Sequence, residues 1–165
     1  MSKLVWGLTI AAVLNYAVLI WLMVFDLAPA TGGLKPLDLR VFGYSYDDVL
    51  TYLDALRFET AAMLTGPVRW IDTSFPVLFG LAGVGWIWIS SETRGWATRS
   101  IALAFPVAYA VTDLIENVYI GRILTGAFPS ETLVSTASLL TMVKFACVVL
   151  SFAALFLVLD NEAEE

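Results

Sequence analysis

Tyr109, Asp113, Glu116 and Asn117 recur at i, i+4, i+7 and i+8 inside an apolar stretch of the chain. On a helix that spacing puts all four on one face. A second apolar stretch carries Ser138, Thr141 and Lys144, again on about one side. Asp72, with Thr73 and Ser74, opens a third, and Asn15 lies in the middle of a fourth. Carboxylates out of water hold their protons more tightly, which suits acid or base work. On that chemistry Asp113, Glu116 and Lys144 are the catalytic candidates. The binding candidates are Asp72, Tyr109, Asp113, Glu116, Asn117, Ser138, Thr141 and Lys144. The structural alternative has equal standing. A buried carboxylate–lysine pair can simply lock helix register, and polar side chains hold membrane helices together.

The elements that carry these residues are set by hydropathy. Of the 165 residues 59% are hydrophobic, and the mean hydropathy is +0.82. Soluble domains are about half apolar, so the composition points to an integral membrane protein. Four runs approach or exceed the ~20 residues that cross a bilayer: residues 4–25, 71–90, 100–120 and 133–159. Backbone in lipid must satisfy its own hydrogen bonds, so each run is a helix. Trp6, Trp21, Trp70, Trp86, Trp88 and Trp96 fall near the span ends or in the short second loop, the depth tryptophan prefers. The expected fold is all-α: one membrane domain, a four-helix bundle, with an acidic tail at 160–165. "LAPA" at 27–30 has the small residues of a signal cleavage site. The apolar run before it exceeds the usual ~7–15 residues of a signal core, so this span is expected to stay.

Lys3, Arg94 and Arg99 favour both termini and the second loop on the cytoplasmic side. In that frame the third helix runs outward and the fourth runs inward. Asp113 then lies ~12 Å below the outer boundary and the Lys144 Cα ~17 Å below it, at 1.5 Å per residue. Helical side chains lean toward their own N-terminus, so the two lean toward each other. An Asp113–Lys144 ion pair is expected. Glu116 and Asn117 belong one turn nearer the surface, at the level of Ser138. There Glu116 and Asp72, with Arg122 or Arg69, would form a second polar layer.

Residues 26–70 form the one long segment outside the spans. Prolines and Gly32-Gly33 make its start irregular. Ser45 with Asp48 then reads as a capping box opening an amphipathic helix of about 20 residues. Val49, Leu50, Leu53, Leu56 and Met63 form its apolar stripe, Asp47, Thr51 and Asp54 the opposite one, and Gly66-Pro67 ends it. Its polar face is acidic, so it suits packing on the bundle better than binding anionic lipid. Gly80, Gly83 and Gly85 lie within a span, where close helix packing explains them better than a dinucleotide loop. Pro76 and Pro106 should kink their helices, and Cys147 reads as a small core residue.

Some classes of function are ruled out. The formal charge is −6 without a basic run, which argues against nucleic acid. There is no histidine and a single cysteine. The usual haem, copper and zinc ligands are therefore missing, a dithiol motif is excluded, and no metal or cofactor is expected.

Asp38, Arg40, Gly43-Tyr44-Ser45, Asp72, Phe75-Pro76, Asp113 to Asn117, Ala137-Ser138, Thr141 and Lys144 follow one another in a distinctive order. In this the chain resembles an uncharacterised family of small four-span integral membrane proteins. The resemblance implies the four-span fold and marks these positions as a set; it supplies no activity. Two functions follow from the residues. The first is an accessory or binding subunit with a polar intramembrane layer, whose partners are the bilayer and either a lipid-like ligand or another membrane subunit. The alternative is a membrane-embedded enzyme acting on a lipid or isoprenoid by carboxylate acid/base chemistry.

Overall fold

The computed structural model describes residues 2–126 and 128–160. Of the acidic tail expected at 160–165, Asp160 ends the last helix and the rest lies outside the described residues. The described chain is all-α, and four helices are long and apolar enough to cross a membrane. We name the helices α1, Ser2–Ala30; α2, Tyr46–Ala55; α3, Phe58–Thr65; α4, Pro67–Ser90; α5, Trp96–Thr125; and α6, Glu131–Asp160.

Every span is longer than hydropathy alone indicates, because helices run on until a backbone feature stops them. α1 passes residue 25 through a π-helical stretch, Leu22–Leu27, where the Ala28 N–H donates to the Met23 carbonyl. The extra residue per turn in such a stretch re-aims the following turn. It ends at Thr31, whose hydroxyl donates to the Leu27 carbonyl at 3.1 Å. Gly33, at φ 87°, then returns its N–H to the Ala28 carbonyl at 2.8 Å, a left-handed cap that glycine adopts without strain. α4 begins four residues earlier than expected, on Pro67, whose missing N–H costs nothing in a first turn.

The amphipathic helix is two helices. The Ser45–Asp48 capping box is present, but Leu56 and Arg57 are extended and separate α2 from α3. The break sends two apolar faces to different places. Val49 and Tyr52 of α2 pack with Leu37, Ile120, Ile123, Val134 and Ala137. Met63 of α3 packs instead against Leu19, Met23, Leu27 and Val68. Leu50, expected in the stripe, is 38% exposed, and Tyr52 is buried in its place. A straight helix could not serve both clusters.

The spans pack in chain order, α1 on α4, α4 on α5 and α5 on α6. Small residues permit the close approach. A Cβ on Gly80 would lie 2.9 Å from the Ala110 Cβ, one on Gly83 2.9 Å from the Pro106 Cβ, and one on Gly85 2.7 Å from Val5. At one end the α2 region covers the tips of α5 and α6. At the other, Ile87, Ala102, Ala154 and Val158 close the bundle. Between the two lie the polar residues, and a gap where α1 and α6 do not close on each other.

Candidate functional site

The buried face of α5 is Tyr109, Asp113, Glu116, Asn117, Ile120 and Ile123. The buried face of α6 opposite it includes Val134, Ala137, Ser138, Thr141, Lys144 and Cys147. The two faces meet along their length, so their polar residues find each other. Lys144 donates to Asp113 Oδ1 at 3.0 Å and lies 2.5 Å from Glu116 Oε2. Tyr109 donates its hydroxyl to Asp113 Oδ2 at 3.0 Å. Thr141 donates to Glu116 Oε1. The expected Asp113–Lys144 pair is present, and Glu116 shares the same lysine.

The second polar layer takes a different form. Ser138 does not serve Glu116; its hydroxyl accepts the Tyr44 N–H at 2.8 Å. The loop comes this close because Gly43, at φ 81°, precedes Tyr44; a Cβ there would lie 2.7 Å from Ser138 Oγ. Tyr44 is buried beside Thr141 and Glu116, and burial pushes its phenol up to about 12. Arg122 is exposed and lies over the Tyr119 ring. Asp72 has Asn117 beside it and makes no ion pair among the described residues. Asn15 donates to Ser74 at 2.6 Å and so ties α1 to α4.

A cavity of about 500 Å³ adjoins this network. Its polar end is formed by Asp38, Asp72, Tyr109, Asp113 and Lys144. Along Thr9 to Met23 of α1 and Lys144 to Leu155 of α6 its walls are otherwise mainly apolar, backed by Phe75, Phe79 and Trp86. Aromatic rings line it in contact: Tyr16 stacks on Phe75 with centroids 5.1 Å apart, and Phe79 meets Tyr109 at 4.7 Å and Phe152 at 5.7 Å. Several wall residues, Val13, Tyr16, Ile20 and Phe152, are also on the outside of the bundle. The cavity therefore opens sideways between α1 and α6. From Asp72 to Ile87 along α4 it extends ~22 Å at 1.5 Å per residue. Typical ligand pockets hold about 300–1,000 Å³.

Of the residues singled out by sequence, Asp72, Tyr109, Asp113 and Lys144 line the cavity. Glu116 and Thr141 stand behind Lys144. Asn117 lines a small adjoining space with Asp38, Arg69 and Asp72. Ser138 belongs to the loop contact. Asp38 was not among the site candidates. It stands in the 3₁₀ turn Leu37–Leu39 and borders both spaces. Burial holds its carboxyl above the ordinary carboxylate range, Lys144 opposing the rise and Asp113 adding to it. Its place in the resemblance motif was the one signal that marked it.

Compared with known proteins, the chain matches no family model, no curated protein and no solved structure. The site's own geometry has to carry the functional reading. What the fold and the composition define is a multi-pass, all-helical membrane protein with four candidate spans.

Proposed function

We propose that this protein binds a lipid-like amphiphile within the membrane, with its apolar body along α1, α4 and α6 and its polar head at the end formed by Asp38 and Asp72. The observation that carries this is the cavity of about 500 Å³, mostly apolar, laterally open and polar at one end. A polar cluster that served only to join helices would need no such space beside it. With both termini on the cytoplasmic side, the orientation that Lys3, Arg94 and Arg99 favour, the polar end lies in the outer half of the bilayer.

The test is native mass spectrometry of protein released gently from its membrane. A co-purifying amphiphile is expected. Val148→Trp, which fills part of the wall, should lose it while thermal stability holds. Protein that carries no amphiphile, or carries as much with the cavity filled, would overturn the reading.

One observation favours catalysis as a second reading. Asp72 is a cavity-facing carboxyl without an ion pair among the described residues, so it can exchange a proton with a bound lipid or isoprenoid. Asp113 and Glu116 are poorer candidates for that role because Lys144, Tyr109 and Thr141 already occupy their oxygens. Product formation from a bound lipid, abolished in Asp72→Asn with binding retained, would separate an enzyme from a binding protein.

A further inference from the structure

We infer that the head group this cavity takes is a cation: an amine carried on an apolar body. The inference rests on the cavity reading above and adds the charge of the ligand. Asp38, Asp72 and Asp113 line the polar end, and Glu116 stands directly behind it. Lys144 is the one cationic side chain lining the cavity among the described residues. Its ammonium is already held by two carboxylates, at 3.0 Å and 2.5 Å. Both oxygens of Asp113 are occupied too, by Lys144 and Tyr109. An anionic head would find no free cation there and would meet two unpaired carboxyl groups.

Asp38 and Asp72 are the groups left over. Neither makes an ion pair among the described residues, though both border the cavity. Arg69 shares the small adjoining space with them, but its guanidinium is turned against Gly121. In the same space Asn117, 4% exposed, keeps its amide nitrogen out of any hydrogen bond of ordinary geometry. That nitrogen is a donor turned toward Asp72, so it offers a cation nothing itself and leaves the two carboxyl groups as the acceptors at this spot. The Asp38 carboxyl is raised because burial opposes its charge, and Lys144, which is bound to other carboxylates, offsets this only in part. A bound ammonium would supply that counter-ion. A bare metal ion fits less well: no group of three or more metal-binding side chains is assembled among the described residues, and the long apolar wall would have no role. The rings of Tyr16, Phe75 and Phe79 lie along the path a cation would take, and ring faces tolerate cations.

The test uses the full chain in lipid nanodiscs and three single-chain probes of equal length: a primary amine, an alcohol and an alkyl phosphate. Competition against a labelled amine, read with native mass spectrometry, ranks them. The amine should bind at least ~10-fold more tightly than the phosphate, a difference of about 1.4 kcal/mol, with the alcohol between them. Asp38→Asn combined with Asp72→Asn should remove the preference while the alcohol still binds. The wild-type ranking alone decides the matter if that variant does not fold. Equal or tighter binding of the phosphate would overturn the cationic head and leave the cavity reading standing. Retention of none of the three would overturn both.

Discussion

Lys144 holds the site together because two carboxylates depend on it. Its side chain is 9% exposed, and those of Asp113 and Glu116 are 4% and 0%. Removing the lysine leaves both carboxylates without a counter-charge, whereas removing Asp113 leaves the lysine with Glu116. Breaking a buried pair costs about 3–5 kcal/mol. Lys144→Met should therefore cost about that much in detergent unfolding, and Asp113→Asn distinctly less. Equal losses would contradict a shared lysine. Asp38 gives the opposite expectation. Its folded-state carboxyl is raised above the unfolded value of 3.8 by burial, so ionisation works against the fold. Stability on its account is full below 3.8 and falls as pH climbs toward the raised folded value. Asp38→Asn should thus equal or exceed wild type in thermal stability at neutral pH, and that advantage should shrink on acidification. A variant that melts earlier at neutral pH would show that the Asp38 charge is stabilising. The Asp113–Lys144 pair was legible in the sequence because depth along a helix is linear in residue number. The second claim on the lysine was not, since a four-carbon stem can reach more than one partner. Asp38 was legible only as part of a motif, because an irregular turn has no period to place its side chains.

At the scale of elements, close packing and chain direction decide what the residues can reach. The glycines of α4 were legible as packing residues, and each adjoins a specific neighbour. Gly80 faces the Ala110 Cβ and the Pro106 carbonyl, so a side chain there must push α4 off α5. Gly7 on α1 has nothing within 4 Å of its would-be Cβ. Gly80→Leu should lower the melting temperature in detergent, through overpacking of about 1–3 kcal/mol. Gly7→Leu should leave it nearly unchanged. Similar effects from the two would remove the case for a tight α4–α5 seam. The α2–α3 break was not legible. Leu56-Arg57 has no proline or glycine, and the helical spacing runs through it. The break follows from tertiary demand: Val49 and Tyr52 must meet α5 and α6, and Met63 must meet α1 and α4. A one-dimensional pattern shows that a face is apolar, not which neighbour it covers.

For the whole molecule, span number and helical class follow from hydropathy, whereas the lateral opening depends on which two helices fail to meet. Four spans put both ends of the chain on one side, and the side is argued from short loops. The α4–α5 connection is only residues 91–95, a length at which basic residues orient a membrane protein strongly. Arg94 lies in it, and Arg99 follows, stacked 3.4 Å over the Trp88 ring and donating to the Trp88 carbonyl at 2.8 Å. That clamp suits an interfacial arginine held at headgroup depth. Of the opposing cations, Lys35, Arg40, Arg57 and Arg69 belong to the long acid-rich segment and only Arg122 lies outside it; Arg40 already faces Asp48 at 3.6 Å, and long segments weigh little in orientation. With Cys147 replaced by alanine, single cysteines at exposed positions can read the result in intact cells. Phe42 and Phe128 are 96% and 88% exposed and lie on the side opposite Thr93 in the loop after α4. Phe42→Cys and Phe128→Cys should react with a membrane-impermeant maleimide in intact cells. Thr93→Cys should react only after permeabilisation. The reverse pattern would place the termini outside and move the polar end of the cavity to the inner leaflet. The Asp113–Lys144–Glu116 geometry would be unchanged, because it depends on relative depth alone.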